Sequence, residues 1–283
     1  MYTLIAENKY GEQLELTHNL AYEIVSILGL DPPDAQVNTT RNAGFDGSTY
    51  NSSYANEKTI TITMAINGPA EQNRIALYQY FKPKSYVRLY YKNGTRDVYI
   101  DGYVRNMPIA FFEKKQTVQI DILCPQPYWV GVNDDIISFS GIEGLFEFPF
   151  SIPEEGISFS EIVLSQERDI YNSGDVEVGC VIEIRAIGDV GNPRIYDAVT
   201  GEHLFINQNM ELGDKIVINT IRGQKSIYMI DHNGTKTNLI GKITAGSSWI
   251  QLTPGDNLLT VDAVTHFENM YVTVTTVDYY EGV

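Results

Sequence analysis

A mainly β chain of two domains is what this sequence predicts, on three observations. Val, Ile, Thr and Tyr recur in short runs, with 19 Tyr in 283 residues, and such side chains fit a pleated, half-buried surface. Several runs alternate polar and apolar residues with period two, as a strand with one buried face should. Turn-forming Gly, Asn, Asp and Pro then punctuate the second half at spacings of roughly 8–12 residues, which suggests a sandwich or barrel. The length exceeds the roughly 100–200 residues usual for one domain. A hydrophobic share of 43% fills real cores and argues against disorder.

Taken in order, residues 59–66 (Thr-Ile-Thr-Ile-Thr-Met-Ala-Ile) alternate as a half-buried strand. Residues 87–91 and 97–104 flank Asn93-Gly94, a hairpin signal because both residue types tolerate positive φ. Residues 117–123 alternate again. One helix is expected over residues 70–81, with Pro69 in its first turn, Ile75, Tyr78 and Phe81 at helical spacing beside Leu77, and Pro83 as its stop. Residues 36–56 are different: rich in Asn, Ser, Thr and Gly, with Phe45, Tyr50 and Tyr54 scattered among them. A loop near 20 residues is unusual inside a compact domain. It is either an arm that orders against a neighbouring subunit or a mobile surface loop.

The prolines of Cys124-Pro125-Gln126-Pro127-Tyr128-Trp129 mark a boundary, followed by a polar link over residues 131–135. The expected domains are residues 1–133 and 134–283. Strand candidates in the second are residues 181–186, 215–220, 226–231, 248–252 and 271–276. They are separated by Gly191-Asn192-Pro193, Thr200-Gly201, Arg222-Gly223, Asn233-Gly234 and Pro254-Gly255-Asp256. No convincing helix interrupts them.

Charge divides at the same boundary. Residues 1–133 hold 12 Lys and Arg against 13 Asp and Glu; the other 150 hold 8 against 23. A surface that negative repels nucleic acid, whose binding needs cations to displace phosphate counterions, and it repels anionic membranes. Two cysteines, Cys124 and Cys180, one in each half, read as reduced core thiols of a chain that folds in a reducing cytosol. The first residues lack the basic flank and apolar run of a signal peptide, and no apolar stretch approaches the ~20 residues that cross a bilayer.

Candidate chemistry is sparse. His18, His203, His232 and His266 stand apart from one another and from both cysteines, so no local metal pair forms. Neither a Gly-rich phosphate loop ending in Lys-Ser or Lys-Thr nor a Gly-x-Ser-x-Gly elbow is present. The adjacent acids Asp134-Asp135 and Glu154-Glu155 point to opposite faces of an extended chain and so build no catalytic pair. No catalytic residue, cofactor site or metal site is assigned, and an enzyme is not expected. A sandwich can bind sugar by stacking on exposed aromatics, which directs attention to Trp129 and Trp249. In Ser248-Trp249-Ile250-Gln251-Leu252, period two sets Trp249 on the face opposite Ile250 and Leu252. Partial burial under a neighbouring loop is the plain alternative.

The order of several short motifs carries a resemblance. They are the Asn- and Gly-rich loop after Pro32-Pro33, the strand over 58–66, the helix over 70–81, the hairpin over 87–104 and the Cys124–Trp129 sequence. Together these resemble the N-terminal domain of the distal tail proteins of siphophages. Asn172-Ser173-Gly174-Asp175, Asn192-Pro193-Arg194-Ile195-Tyr196, Thr200-Gly201, Leu212-Gly213-Asp214 and residues 252–261 continue the similarity into the second half. The resemblance implies a β-rich N-terminal domain with one helix and, after it, a galectin-like β-sandwich without a preserved lectin site.

It further implies a structural role: a homo-oligomeric ring, a hexamer, at the distal end of the tail tube. The implied partners are the tube protein, the end of the tape-measure or tail-associated protein, and the receptor-binding protein. The place of action would be the tail tip of the virion, after assembly in the host cytoplasm. The N-terminal domains would make the ring through extended arms, with the sandwich outside it. Arg41, Phe45, Tyr50 and Tyr54 are the expected arm contacts, since Arg and aromatics anchor interfaces. A near-neutral half suits a closed ring, where like charges would repel. The alternative reading is a carbohydrate-binding module for host cell-wall saccharides, with Trp249 as the stacking residue. Whether the tail is siphophage, contractile or bacteriocin-like stays open at this level, as does the state of the free protein.

Overall fold

Period two in the sequence becomes alternating burial in the computed structural model, which describes residues 2–111, 115–133, 135–144, 160–164 and 166–283. The chain divides into two units, Met1–Val132 with Tyr279–Val283, and Asn133–Asp278. The first runs β1 (Thr3–Asn8), β2 (Gln13–Glu15), β3 (Tyr22–Leu28), β4 (Ala35–Thr40), β5 (Thr49–Ala55), β6 (Lys58–Ile66), α1 (Ala70–Tyr80), β7 (Tyr86–Lys92), β8 (Asp97–Asn106), β9 (Thr117–Cys124) and β10 (Trp129–Gly131). An antiparallel sheet is ordered β2-β1-β7-β8-β9-β6-β3. Along β6, Ile60, Ile62 and Met64 are fully buried between half-exposed threonines. With Leu89, Ile100 and Trp129 they join one core, each worth about 1.5–3 kcal/mol relative to exposure.

β8 changes partners along its length. Its end pairs with β9 through Tyr103–Asn106, while Val98 and Tyr99 pair with β10. Gly102 sits at that change, where an added Cβ would lie 2.5 Å from Ile122 Cγ2, so only glycine lets the sheet close there.

Three local expectations are corrected. The buried face of α1 is Leu77 with Phe81 just past its end, whereas Ile75 is 52% and Tyr78 41% exposed. Residues four apart stack on one helix face, and Ile75 lies nearly opposite Leu77 at 3.6 residues per turn. Pro69 precedes the helix as its N-cap residue rather than entering the first turn. The Asn93-Gly94 hairpin forms, but without positive φ at either residue. Its turn is held instead by Asn93 Oδ1, which accepts from the amides of Thr95 (2.8 Å) and Arg96 (2.7 Å), the short-range side-chain bonding for which Asn is favoured in turns.

The second unit runs β11 (Asp135–Ser138), β12 (Ser140–Gly144), β13 (Ser160–Leu164), β14 (Glu167–Asn172), β15 (Val178–Ala186), β16 (Val190–Asp197), β17 (His203–Phe205), β18 (Asn209–Met210), β19 (Lys215–Asn219), β20 (Ser226–Ile230), β21 (Lys236–Asn238), β22 (Gln251–Leu252), β23 (Gly255–Thr265) and β24 (Met270–Thr276). One sheet is ordered β11-β24-β15-β19-β20-β21, with β22 beside β15. The other is ordered β14-β23-β16-β17, with β18 beside β16. Each buries one face: Cys180, Ile182 and Ile184 on β15, Leu259 and Val261 on β23. This is the mainly β, galectin-like sandwich that the sequence and its resemblance predict. Gly191-Asn192-Pro193 is not a turn but the start of β16, with Asn192 at φ 50° inside the strand. Only Gln251 and Leu252 of residues 248–252 are strand.

Buried Asn and Asp side chains pin the long connections. Asn172, 1% exposed, donates to the carbonyls of Val176 and Leu252 (both 3.0 Å) and accepts from Gly174 N–H (2.9 Å). Asn257, fully buried, shares its two amide hydrogens among the carbonyls of Thr253 (2.8 Å), Gly255 (2.9 Å) and Ile170 (3.3 Å), and accepts from the Thr253 amide (2.8 Å). Asp197 accepts from Val199 N–H (2.8 Å), and Asp214 from the amides of Glu211 (2.9 Å) and His232 (3.1 Å). Satisfying buried backbone groups in this way is what a structured loop requires.

The last strand, β25 (Tyr279–Tyr280), returns to the first unit and pairs with β10, Trp129 opposite Tyr280. Buried Lys58 secures it: Nζ donates to the carbonyls of Asp31 (2.7 Å) and Glu281 (2.9 Å). Burial pushes that ammonium below its usual range, with Asp31 nearby opposing the shift. Hydrogen bonds from a charged donor contribute about 1.5–3 kcal/mol. Lys58→Ala is therefore expected to lower stability by about 2–4 kcal/mol in urea unfolding, with earlier proteolysis of the C-terminal segment. A variant as stable as the parent would show that the tail is held by strand pairing alone.

Both cysteines are free and buried. Burial pushes the Cys124 thiol from 9.0 up to about 12 and Cys180 up to about 11, against smaller opposing effects of Lys58 and of the Thr220 hydrogen bond. Folded values above the unfolded ones mean that the folded state holds these protons more tightly. Their stabilisation is complete below pH 9 and is lost as pH rises through 11 to 12. At pH 8 an aromatic disulfide reagent should label neither thiol in the native protein and both after denaturation. Native labelling would show a core that opens locally.

Candidate interaction surfaces

Residues 36–56 are an extended two-stranded ribbon rather than an irregular loop. The chain leaves β3 through Gly29 at φ 86°, where an added Cβ would meet the Thr59 carbonyl oxygen at 2.3 Å. Asp34 then accepts the Asn56 amide at 2.8 Å, closing the base of the excursion. β4 and β5 pair from Ala35 opposite Ala55 to Thr40 opposite Thr49. The sequence did not resemble a strand pair because neither strand alternates: with no core beneath, polar residues occupy both faces. Side chains zip the ribbon across its width, Asn38 to Ser52 (3.1 Å), Asn51 to Thr40 (2.6 Å) and Asn42 to Thr49 (3.2 Å).

The predicted contact residues all fall on this ribbon. Arg41 and Phe45 lie in the connection at its tip, and Tyr50 and Tyr54 on β5. Phe45 is 74% exposed, Tyr50 61%, Tyr54 58% and, unflagged by the sequence, Val37 53%. The register shift between Asn38 and Thr39 leaves Asn51 as an extra residue. Such a bulge interrupts period two between Tyr50 and Tyr54, which a linear reading misses. Beside the root of the ribbon, β3 is an edge strand of the large sheet. Around it Leu20 is 94% exposed, Val25 61% and Leu28 64%. A cavity of about 660 Å³ opens there, lined by Tyr2, His18, Leu20, Tyr22 and Ile24 among others.

In the second unit Trp249 lies before β22, half-buried, with Lys225 Nζ 5.6 Å from its ring centroid. Trp129 is fully buried in the first core. A group that sequence reasoning missed lies on β16 and β17: Arg194, Tyr196, His203 and Phe205 share the solvent face, with Tyr196 and Phe205 rings 4.9 Å apart. The signal was available, because Arg194-Ile195-Tyr196 and His203-Leu204-Phe205 both alternate on either side of the Thr200-Gly201 turn. Among the described residues no group of three or more His, Cys, Asp or Glu is placed to hold a metal, and no helix is long and apolar enough to cross a membrane. Asp134, Glu154 and Glu155 lie outside the described residues.

Two family descriptions match the sequence. "Phage tail protein RIFT-related domain" covers residues 9–124, and "Siphovirus-type tail component, C-terminal domain" covers residues 173–280. The chain belongs to the siphophage distal tail protein family. As a distal tail protein it is a structural component of the phage tail, and the ribbon lies within the first matched span. The crystal structure of SPP1 Dit, described as a paradigm of the hub adsorption apparatus of phages infecting Gram-positive bacteria, is similar over 99% of both chains, at 12% identity and a TM-score of 0.66. At that identity the similarity shows a shared fold. A chain of the phage P2 baseplate in its activated conformation with calcium aligns over 97% of this chain and 98% of its own, at 12% identity and a TM-score of 0.47, too loose to argue from. No curated protein matches the sequence.

Because the ribbon's aromatics touch solvent rather than a core, removing them should leave this distal tail protein folded. Phe45→Ala, Tyr50→Ala and Tyr54→Ala, singly or together, are expected to change unfolding free energy by no more than about 0.5 kcal/mol each. A larger loss would mean that the ribbon packs against its own chain.

Proposed function

We propose that this protein forms a homo-oligomeric ring, a hexamer, at the end of the tail tube and links the tube to the receptor-binding apparatus. The ribbon carries this reading. A two-stranded hairpin without a packed face is marginal in water, and this one holds Val37, Phe45 and Tyr50 more than half exposed. Laid against a neighbouring subunit, those side chains and Tyr54 gain burial, with Arg41 supplying a planar donor at the tip. The apolar edge at β3 offers a second contact, since an unpaired strand edge accepts another chain. Residues 1–133, near neutral, supply the ring. Residues 133–278 form the acidic sandwich unit, whose charge keeps assemblies apart.

The partners in this reading are further copies of the chain, the tail tube protein, the tape-measure or tail-associated protein, and the receptor-binding protein. The protein assembles in the host cytoplasm and acts at the virion tail tip. Light scattering after size-exclusion chromatography tests the first of these. A mass near six times 31.8 kDa is expected for the full chain, falling toward one subunit when residues 36–56 are replaced by a short Gly-Ser link. An oligomer that survives the replacement removes the ribbon from the interface. A full chain that stays monomeric at every concentration overturns self-assembly.

A further inference from the structure

The solvent face of the five-strand layer in the second unit carries a cluster that the ring proposal does not draw on. β16 and β17 set Arg194 opposite Phe205 and Tyr196 opposite His203. The Phe205 ring meets Tyr196 edge-on at 67° and lies 4.5 Å from the His203 ring. The Arg194 guanidinium lies 5.2 Å from the Phe205 centroid. At the end of this strip a cavity of about 140 Å³ is lined by Asn192, Arg194, Phe205, Asn207 and Thr244, among others.

Cross-strand aromatic pairs also stabilise a hairpin, and that alone would explain Tyr196, His203 and Phe205. It does not explain the polar groups. Asp262 is the direct partner of Arg194 on β23, yet no ion pair or hydrogen bond joins them. Among the described residues neither the Arg194 guanidinium nor the side-chain amides of Asn192 and Asn207 make a hydrogen bond. Groups with free hydrogen-bonding capacity thus line a cavity that the Phe205 ring also lines.

We propose that this patch is a saccharide-binding site that takes an uncharged sugar ring. Its apolar C–H face would lie on Phe205 and Tyr196, and its hydroxyls would meet Arg194, Asn192, Asn207 and Thr244. An apolar wall with a few convergent polar groups is what fixes a small ligand's orientation. The cavity is smaller than the roughly 300–1,000 Å³ of sites that enclose drug-sized ligands, so one ring enters while the rest of a chain lies along the aromatic strip. Charge decides against the other ligands that stack on aromatics. Single-stranded nucleic acid needs a basic groove, whereas Asp262 lies beside Arg194 and shares its solvent face with Glu167 and Asp169 on β14, and this half carries 23 acids against 8 bases. The site is independent of ring formation, and it places sugar stacking on Phe205, which lines the cavity, rather than on Trp249, which does not.

The test uses the full chain and the ribbon-replaced chain in isothermal titrations. The probes are short oligosaccharides of glucose, galactose and N-acetylglucosamine, with glycerol phosphate oligomers as the anionic counterpart. Binding of at least one neutral probe with Kd on the order of 1 mM or tighter is expected, in both chains. Phe205→Ala and Arg194→Ala should weaken it at least tenfold, and Trp249→Ala should leave it unchanged. Circular dichroism confirms that each variant is folded; should Phe205→Ala unfold, Phe205→Leu keeps the packing and removes the ring face. No binding of any neutral probe, tighter binding of the anionic one, or binding that survives both Phe205 and Arg194 variants overturns the site.

Discussion

The pairing of β10 with β25 is the constraint on which the rest of the chain depends. Trp129 is fully buried in the first core, and the strand it begins is paired with residues about 150 positions later in the sequence. Lys58 turns that pairing into an anchor by placing an ammonium where the carbonyls of Asp31 and Glu281 converge. The whole second unit is consequently an excursion of the chain between Val132 and Tyr279, with both ends of the excursion held in the first unit. The first core is not complete without Tyr280 and Val283, which pack against it. A lysine nearly removed from solvent is costly unless its hydrogens are taken up, and here two main-chain oxygens from distant segments do so.

The same economy of polar groups shapes the second unit. Asn172, Asp197, Asp214 and Asn257 are almost fully buried, and each is bonded to main-chain groups of its own turn or of the next strand. They lie in or beside the short motifs Asn172-Ser173-Gly174-Asp175, Thr200-Gly201, Leu212-Gly213-Asp214 and residues 252–261, by which the second half resembles distal tail proteins. In the second half, part of that resemblance is therefore turn chemistry. Apolar core side chains of similar volume exchange at modest cost. A buried Asn bonded to several main-chain groups has no such substitute.

The first and second units arrange their solvent-facing aromatics differently. On the ribbon, Phe45, Tyr50 and Tyr54 stand apart, with polar neighbours and no stacking partners among the described residues, an arrangement suited to insertion into another subunit. On β16 and β17, Tyr196, His203 and Phe205 already touch one another beside Arg194, which presents a preformed surface. Isolated anchors lose conformational entropy when they dock, whereas a preassembled strip has lost most of it on folding.

Strand content, the single α-helix and most of the turn positions were legible locally, because period two and turn residues are properties of short stretches, although Gly191-Asn192-Pro193 proved to be strand. The strands over 59–66, 87–104 and 117–123 appear where alternation sets them. What could not be read is what depends on partners distant in sequence. Residues 36–56 lack alternation because no core lies under them, so their pairing into a ribbon, and the bulge at Asn51, follow from cross-strand bonds alone. Ile75 and Tyr78 match helical spacing as well as Phe81 does, yet only the docking of α1 on the sheet selects Leu77 and Phe81. The Arg194–Phe205 strip was half visible as two alternating triplets, but its unspent hydrogen-bonding groups emerge only when β16, β17 and the 244–249 segment are brought side by side. Sequence by itself determined the elements and the charge of each half. Tertiary structure decided which faces are buried and where the chain ends, since burial and closure are energies of long-range contact that no local pattern carries.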